Sequence, residues 1–213
     1  PIDGFLQGLR DLCDAHGIVL IFDEVMCGFR IAKGGSTELY GVIPDMVTMG
    51  KIIGGGMPVG AFGGKKEIMA MVAPEGPVYQ AGTLSGNPMA MRCGYTLLKE
   101  LHKTPDIYQR LEEKAAYLEK GIRQVFEKHQ LHYTLNRVGS MMSFHFGIDA
   151  INNFEDACNA NADLFKKLFH SVLKRGVYFA PSAFEALFVS TTHTYDLLDK
   201  TIQAMDEALE EIL

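Results

Sequence analysis

The feature that most constrains the fold is a continuous apolar run, "IVLIF", at residues 18–22. The run is rich in residues that favour strands and shows no alternation of apolar and polar side chains. Such a segment is typical of a strand that is buried on both faces, as in a parallel sheet. Residues 4–16 precede it with apolar side chains at helical spacing, and Gly17 follows as a natural helix end. A helix followed by a buried strand predicts an α/β fold.

The remaining pattern predicts an α/β half followed by an α+β half. The division lies at Thr104-Pro105-Asp106, so we expect residues 1–104 and 105–213 to form separate domains. Further strands are predicted at 45–50, 58–63, 177–181 and 186–192, a hairpin at 132–147, and helices at 66–73, 87–103, 107–129, 155–175 and 195–212.

The composition argues against two classes of partner. The net charge is −6 and no basic stripe is present, so nucleic acid is not expected as a partner. No apolar run approaches the roughly 20 residues that span a bilayer, so no membrane association is expected. The four cysteines lack metal-ligand spacing. This pattern favours free thiols in a reducing compartment, and it predicts a cytoplasmic protein without a metal site.

Two chemically active side chains follow neighbouring predicted strands. Asp23 comes directly after the run 18–22, and Lys51 follows the strand at 45–50. Ligands of parallel α/β sheets bind outside the carboxyl ends of the strands, so both side chains are expected at one site. A lysine in a low-polarity site is a nucleophile for a carbonyl group. Pyridoxal phosphate binds a lysine in this way and needs a carboxylate beside its ring nitrogen, so Lys51 and Asp23 together predict this cofactor.

Each of these residues also has an ordinary structural interpretation. The pair Asp23-Glu24 is common as a helix cap or a solvated turn, and a lysine at a strand end is most often surface-exposed. The three glycines at 54–56 favour a binding site, because they allow a bulky flat ligand to approach the backbone closely.

The segment "YQAGTLSGNP" at 79–88 offers donors for a phosphate group. Gly82, Thr83 and Ser85 bring amide and hydroxyl groups, and Asn87 precedes a helix whose N-terminus favours anions. The alternative interpretation is an ordinary glycine-serine loop that caps a helix.

Three motifs together resemble the class III aminotransferases, which are pyridoxal-phosphate enzymes of fold type I. They are "LIFDEVMCGFR" (20–30), "PDMVTMGKIIGGGMPVGAFGG" (44–64) and "YQAGTLSGNPMAM" (79–91). The segment "APSAFEALFVSTTHT" (180–194) points to the aminomutases of this class, which act on glutamate 1-semialdehyde. Many transaminases of the class carry a carboxylate-binding arginine in the C-terminal segment, whereas no arginine follows Arg175 here.

The resemblance implies a role for each matching residue. Lys51 would hold the cofactor and move protons, Asp23 would pair with the ring nitrogen, and Val25 would lie against the ring. Gly82 and Thr83 would reach the phosphate of the cofactor in the partner subunit, which implies a homodimer with shared sites.

The resemblance also implies the fold and a further candidate residue. Residues 1–104 would be the C-terminal part of a large pyridoxal-phosphate domain with a mostly parallel sheet and helices, and 105–213 a smaller α+β domain. The chain would match about the C-terminal half of such an enzyme. Glu185 would lie near the mouth of the active site, and an exposed carboxylate without a role is an equal alternative.

The implied reaction moves an amino group within one small amino-aldehyde substrate, and the cofactor passes through its pyridoxamine form. One alternative is a transaminase that acts on ω-amino acids or amines. Another is a non-catalytic fragment that serves only as a dimerising module. The isolated half is expected to be inactive, because the other half would carry the main phosphate loop and most substrate contacts.

Overall fold

The computed structural model describes all 213 residues. The chain divides into two compact units, Pro1–Pro105 and Asp106–Leu213. One helix ends at Lys103 and the next begins at Ile107, so the predicted break between them is confirmed. None of the helices combines the length and the apolar character that crossing a bilayer requires.

The first unit is built on a three-stranded sheet of order β1-β2-β3, in which β1 and β2 are parallel and β2 and β3 antiparallel. Its elements are α1 (Phe5–His16), β1 (Ile21–Glu24), α2 (Gly35–Tyr40), β2 (Met46–Met49), a short 3-10 helix (Lys51–Gly54), β3 (Ala61–Gly64), α3 (Lys66–Met69) and α4 (Pro88–Lys103). The predictions of α1, β2 and α4 are confirmed. The predicted third strand begins later than expected, and the helix after it ends earlier.

The first strand is shifted relative to the prediction of 18–22, which is wrong in its bounds. Pairing begins at Ile21, because the backbone N–H of Leu20 donates instead to the Asp45 carboxylate at 2.7 Å. Asp23 therefore lies within the strand, opposite Thr48, rather than after it.

The expected burial of this strand on both faces is also wrong for this chain. Phe22 and Glu24 are buried, whereas Asp23 is exposed and Ile21 is 52% exposed. The buried face is covered because α1 contributes Cys13 and neighbouring leucines to a small core around Phe22. The other face has no such cover, and β1 stands at the edge of the sheet.

The second unit packs helices around an antiparallel sheet of order β4-β5-β6. Its elements are α5 (Ile107–Lys128), β4 (Tyr133–Val138), β5 (Met141–Phe146), α6 (Phe154–Asn159), α7 (Ala162–Lys174), β6 (Leu187–Phe188) and α8 (Tyr195–Ile212). The predictions of α5, the hairpin and α8 are confirmed. The core centres on Phe126, whose ring meets those of Phe144 and Phe146 edge-on at 5.2 Å.

The single helix predicted at 155–175 is wrong, because Asn161 divides it into α6 and α7. The Asn161 N–H donates to the carbonyl of Phe146 at 2.8 Å, which ties this point of the chain to β5. Its side chain then accepts from the Leu164 N–H at 3.0 Å and caps α7. Asparagine is a strong helix N-cap, so this signal was present in the sequence.

The strands predicted after α7 are mostly absent. Residues 177–181 form no strand, and the predicted strand at 186–192 shrinks to β6. Only Leu187 and Phe188 pair with β5, opposite Met142 and Met141, so the rest of the predicted segment has no partner strand.

Candidate active site

Asp23 presents a carboxylate with one oxygen held and one oxygen free. Its Oδ1 accepts from the Thr48 hydroxyl at 3.1 Å and from the Val25 N–H at 3.0 Å. Its Oδ2 makes no hydrogen bond or ion pair, and the side chain is exposed. The carboxylate is therefore oriented by the protein and has one acceptor left for a ligand.

Lys51 follows β2 directly after Gly50 and begins the short 3-10 helix, as the prediction of a strand-end lysine required. Its φ of +46° lies in the left-handed region, which non-glycine residues seldom adopt and which is often found at functional sites. The amine makes no hydrogen bond or ion pair. The side chain is exposed, so this chain by itself does not supply the low-polarity surroundings that we expected.

Val25 connects the two strand ends. A Cβ built on Gly50 would lie 3.1 Å from Cγ1 of Val25, so the valine packs directly over the residue that precedes Lys51. Because Val25 also donates its N–H to Asp23, one residue contacts both sides of the candidate site.

The glycine run after Lys51 contacts helix α4. Gly55 has a φ of +59°, and a Cβ there would lie 2.5 Å from the carbonyl oxygen of Cys93. A Cβ on Gly94 would collide in turn with the carbonyl of Ile53. We expected these glycines to make room for a flat ligand, but the structure shows that Gly55 makes room for a helix backbone. This contact positions the segment that carries Lys51.

The predicted phosphate loop leads into the same helix. Asn87 caps α4, since its Oδ1 accepts from the N–H groups of Met89 and Ala90 at 3.1 and 3.2 Å. Before it, the Ser85 N–H donates to the Gly82 carbonyl at 2.9 Å and forms a turn. Thr83 lies at the exposed tip of this turn, and its hydroxyl has no partner. The helix-capping interpretation is confirmed for Asn87, and Gly82 and Thr83 are exposed.

Glu185 belongs to the second unit and lies apart from these residues in the chain. Its N–H donates to the Ser182 carbonyl at 3.1 Å, which places it in a turn before β6. Its exposed side chain lines a largely apolar cleft of about 800 Å³, together with residues such as Tyr178, Phe179 and Leu187.

Cys27 is an alternative nucleophile beside Asp23, since its thiol donates to the Asp23 carbonyl oxygen with an S···O distance of 3.8 Å. Burial raises the pKa of the Cys27 thiol, and the neighbouring Glu24 carboxylate raises it further. A thiol with a raised pKa stays protonated at neutral pH and is a poor nucleophile. Lys51 therefore remains the better candidate.

A cluster in the second unit has the residue types of a metal site. It consists of His129, Asp206 and Glu210. Lys128 already binds both carboxylates, with its Nζ 2.7 Å from Asp206 and 3.1 Å from Glu210. This bonding lowers the pKa of Asp206, so the cluster behaves as a salt-bridge network.

Sequence reasoning missed Thr48 and Gly94. Thr48 faces Asp23 in the parallel register, and aligning the two predicted strands by their ends would have found it. Gly94 had no local signal, because its role depends on a contact with Ile53, far away in the chain.

The aminotransferase class-III family model matches residues 1–213. The chain belongs to the class-III aminotransferase family. It is 57% identical over 207 residues to glutamate-1-semialdehyde 2,1-aminomutase from Flavobacterium johnsoniae, a match that covers 97% of this chain and 48% of the relative. It is 50% identical over 213 residues to glutamate-1-semialdehyde 2,1-aminomutase 1 from Staphylococcus epidermidis, covering 100% of this chain and 49% of the relative.

Solved structures show the class-III aminotransferase fold in this chain. A β-phenylalanine aminotransferase from Variovorax paradoxus has a TM-score of 0.88 and 31% identity, covering 97% of this chain and 47% of that chain. A variant of glutamate-1-semialdehyde-aminomutase from Pseudomonas aeruginosa PAO1 in complex with PMP has a TM-score of 0.84 and 27% identity, covering 100% and 49%. The chain thus spans about half the length of the family members it matches.

Proposed function

We propose that this chain is part of a longer pyridoxal-phosphate enzyme, a glutamate-1-semialdehyde 2,1-aminomutase. The observation that carries the proposal is that a free Lys51 amine follows β2 directly, while an oriented Asp23 carboxylate lies near the C-terminal end of the adjacent parallel strand β1. The choice of reaction is supported by the aminomutases that are 50–57% identical over 96% or more of this chain.

The free groups of the site fit pyridoxal phosphate. Lys51 has an unpaired amine to bind the cofactor's carbonyl carbon, and Asp23 Oδ2 is an unused acceptor for the proton on the ring nitrogen. Val25 offers an apolar side chain between these two residues, where it would cover one face of the ring. When bound, the cofactor supplies an electron sink for breaking a bond at the carbon that carries the amino group.

Lys51 has a second task in the proposed reaction, which converts glutamate 1-semialdehyde to 5-aminolevulinate. Its amine would take a proton from the substrate carbon and later return one, so it would act as general base and then as general acid. The Asp23 carboxylate would accept a hydrogen bond from the ring nitrogen when the cofactor is bound. For Glu185 we propose a contact to substrate, supported by its exposed position on a cleft.

We also propose a homodimer in which each site is completed by the partner. Support comes from the exposure of Gly82 and Thr83 and from exposed apolar side chains next to them in the chain. Tyr79 is 84% exposed and Leu84 67%, which is unusual for large apolar side chains without a partner surface.

The two compact units support a domain assignment in the longer protein. Residues 1–104 would complete a large cofactor-binding domain and 105–213 would form a small C-terminal domain. The four cysteines are free, which supports a reducing compartment such as the cytoplasm.

A transaminase that acts on ω-amino acids or amines is the second candidate. Similarity of fold does not separate the two candidates, since solved transaminases lie on both sides of the aminomutase's TM-score of 0.84, at 0.88 and 0.83. The absence of an arginine after Arg175 favours the aminomutase, since many transaminases of the class use one there for a substrate carboxylate.

The test is an assay of the full-length protein with glutamate 1-semialdehyde and no other amino donor or acceptor. We expect 5-aminolevulinate to form, and we expect Lys51→Ala to abolish it. Product that forms only when a keto acid is supplied as acceptor would assign the protein to the transaminases instead. Failure of the protein to bind pyridoxal phosphate would contradict both candidates.

A further inference from the structure

Glu24 is the only carboxylate with a buried oxygen that makes no hydrogen bond. The residue is 3% exposed, and it faces away from Asp23 because successive strand residues point to opposite sides. Its Oε1 accepts from the Ser36 N–H at 2.6 Å, while Oε2 is buried without a partner. The proposed reaction makes no use of this residue, so its burial needs another explanation.

The surroundings of the Glu24 carboxylate fit it closely. Gly35 has a φ of +61°, and a Cβ there would lie 2.6 Å from Oε2. A side chain at position 35 would therefore be strained and would also push the carboxylate away from Ser36. The backbone at Gly35-Ser36 is shaped around this one carboxylate.

The backbone carbonyl of Glu24 holds the start of the segment that leads from β1 to Gly35. The Gly28 N–H donates to the Glu24 carbonyl at 2.8 Å and turns the chain back sharply after β1. A Cβ on Gly28 would lie 2.8 Å from that carbonyl oxygen, so this turn is tight as well. Glu24 thus anchors residues 25–36 twice, near their start through the carbonyl and at their end through the carboxylate. This segment, which ends with the first two residues of α2, is called the loop 25–36 below.

Two groups of the candidate site depend on this loop. Val25 is its first residue and packs over Gly50, directly before Lys51. The Val25 N–H also holds Oδ1 of Asp23 at 3.0 Å. A shift at the start of the loop would move both the apolar side chain and the donor that orients the carboxylate.

We propose that Glu24 is a positioning residue, whose buried carboxylate fixes the loop 25–36 and thereby holds Val25 and Asp23 in place for the cofactor. The inference rests on the proposed function for its consequence, since a cofactor is what the loop would serve. The anchoring itself is a property of the protein without ligand and is measured separately.

The first experiment measures hydrogen–deuterium exchange of the full-length protein without added cofactor. Glu24→Ala is expected to raise exchange at residues 25–28 by about tenfold, with exchange in α4 unchanged. Glu24→Gln keeps an oxygen for the Ser36 N–H and restores wild-type protection. Gly35→Ala keeps Glu24 but crowds its carboxylate, and it should raise exchange at 25–28 as Glu24→Ala does.

The matched control is Glu38→Ala. Glu38 is an exposed carboxylate that accepts from the Gly34 N–H at 2.5 Å, next to Gly35, but it lies on α2 and has no direct link to β1. This change is expected to leave residues 25–28 protected. Equal exchange in wild type and Glu24→Ala, or an equal rise in Glu38→Ala, would overturn the proposal. If Glu24→Ala does not fold, the comparison of Gly35→Ala with Glu38→Ala decides.

The second experiment titrates the same variants with pyridoxal phosphate and records visible circular dichroism. Glu24→Ala is expected to weaken binding about tenfold and reduce the signal of the bound cofactor, with both restored by Glu24→Gln. Raised exchange with unchanged binding and signal would overturn the positioning role. A wild-type protein that binds no pyridoxal phosphate would instead contradict the proposed function. The exchange data would still test whether Glu24 fixes the loop 25–36.

Discussion

The hydroxyl of Thr48 donates a 3.1 Å hydrogen bond to Oδ1 of Asp23 across the parallel pair β1 and β2. This bond joins the strand that carries the candidate carboxylate to the strand that leads to Lys51. It leaves Oδ2 of Asp23 as the acceptor for a ligand. The orientation of the Asp23 carboxylate therefore depends on Thr48 as well as on the Val25 N–H.

Thr48→Val removes this hydroxyl and keeps the shape of the side chain. We expect kcat of the full-length protein to fall roughly 10- to 100-fold. The reason is that Thr48 does not contact the cofactor itself but orients Asp23, which is proposed to do so. Thr48→Ser keeps the donor and should retain most of the activity. A Thr48→Val protein with wild-type kcat would show that Asp23 does not depend on this bond.

Asp23→Asn keeps an oxygen for the donors on Thr48 and Val25 but removes the negative charge. We expect pyridoxal phosphate to bind through Lys51 as before, while turnover falls by roughly 100-fold or more, because the ring nitrogen loses its ionic partner. Cofactor titration and steady-state kinetics measure the two effects separately. Asp14→Asn, an exposed change on α1, is the control, and near-normal turnover in Asp23→Asn would leave Asp23 as a turn residue.

Borohydride reduction of the cofactor-loaded protein, followed by peptide mapping, is expected to label Lys51. Lys51→Ala should lose the label and nearly all turnover and keep its circular dichroism spectrum. Lys65 is a poor competitor, because its amine lies 2.6 Å from Asp45 in an ion pair. A label on Lys65 or Lys66 would contradict the assignment.

The contacts of the Asp45 carboxylate predict that the thermal stability of the protein depends on pH. Its carboxylate contacts the amine of Lys65 at 2.6 Å, the Leu20 N–H at 2.7 Å and Arg10 at 2.9 Å. These partners, Lys65 foremost, hold the pKa of Asp45 well below its usual range. A folded pKa below the unfolded value of about 3.9 means that the stabilisation is complete above that value and is lost as pH falls towards the folded pKa.

Asp45→Asn is therefore expected to lower Tm at neutral pH, and the Tm difference from wild type should shrink in acid below about pH 4. Thermal unfolding followed by circular dichroism at several pH values measures this. The control is Asp14→Asn, which removes an exposed partner of the same Arg10 and should change Tm less. A Tm difference that stays constant through the acid range would contradict the assigned cause.

Mixing two inactive variants tests the shared site. One subunit carries Lys51→Ala and the other carries Gly82→Pro with Thr83→Val. If the loop crosses to the partner, a heterodimer has one site with both defects and one intact site. Random mixing should then restore roughly a quarter of wild-type activity, because half of the dimers are mixed and half of their sites are intact.

Mixed dimers that form, as native mass spectrometry would show, but remain as inactive as the separate variants would contradict this arrangement. Thr83 would then serve its own subunit or only the turn that precedes α4.

That Asp23 and Lys51 lie near the C-terminal ends of neighbouring strands was predictable, because apolar runs are local signals. The bounds of β1 were not, since the Leu20 N–H is taken by Asp45, which lies on a later segment. The contribution of Thr48 requires the register of two strands, which single-strand patterns do not contain. The division of the predicted helix at Asn161 could have been predicted, because asparagine is a common helix N-cap. The helical pattern continues on both sides of Asn161, so a single helix was predicted instead.

The contact between the glycine run and α4 has a consequence for protein engineering. Backbone meets backbone at Gly55 and Gly94 without a side chain between them, so no rotamer change is available to absorb a displacement. The loop before α4 is therefore mechanically coupled to the segment that carries Lys51. A chimera that takes this loop from a relative should therefore take residues 50–103 together. A junction within this range would combine a Lys51 segment from one protein with a helix α4 from another, and their backbones would no longer fit.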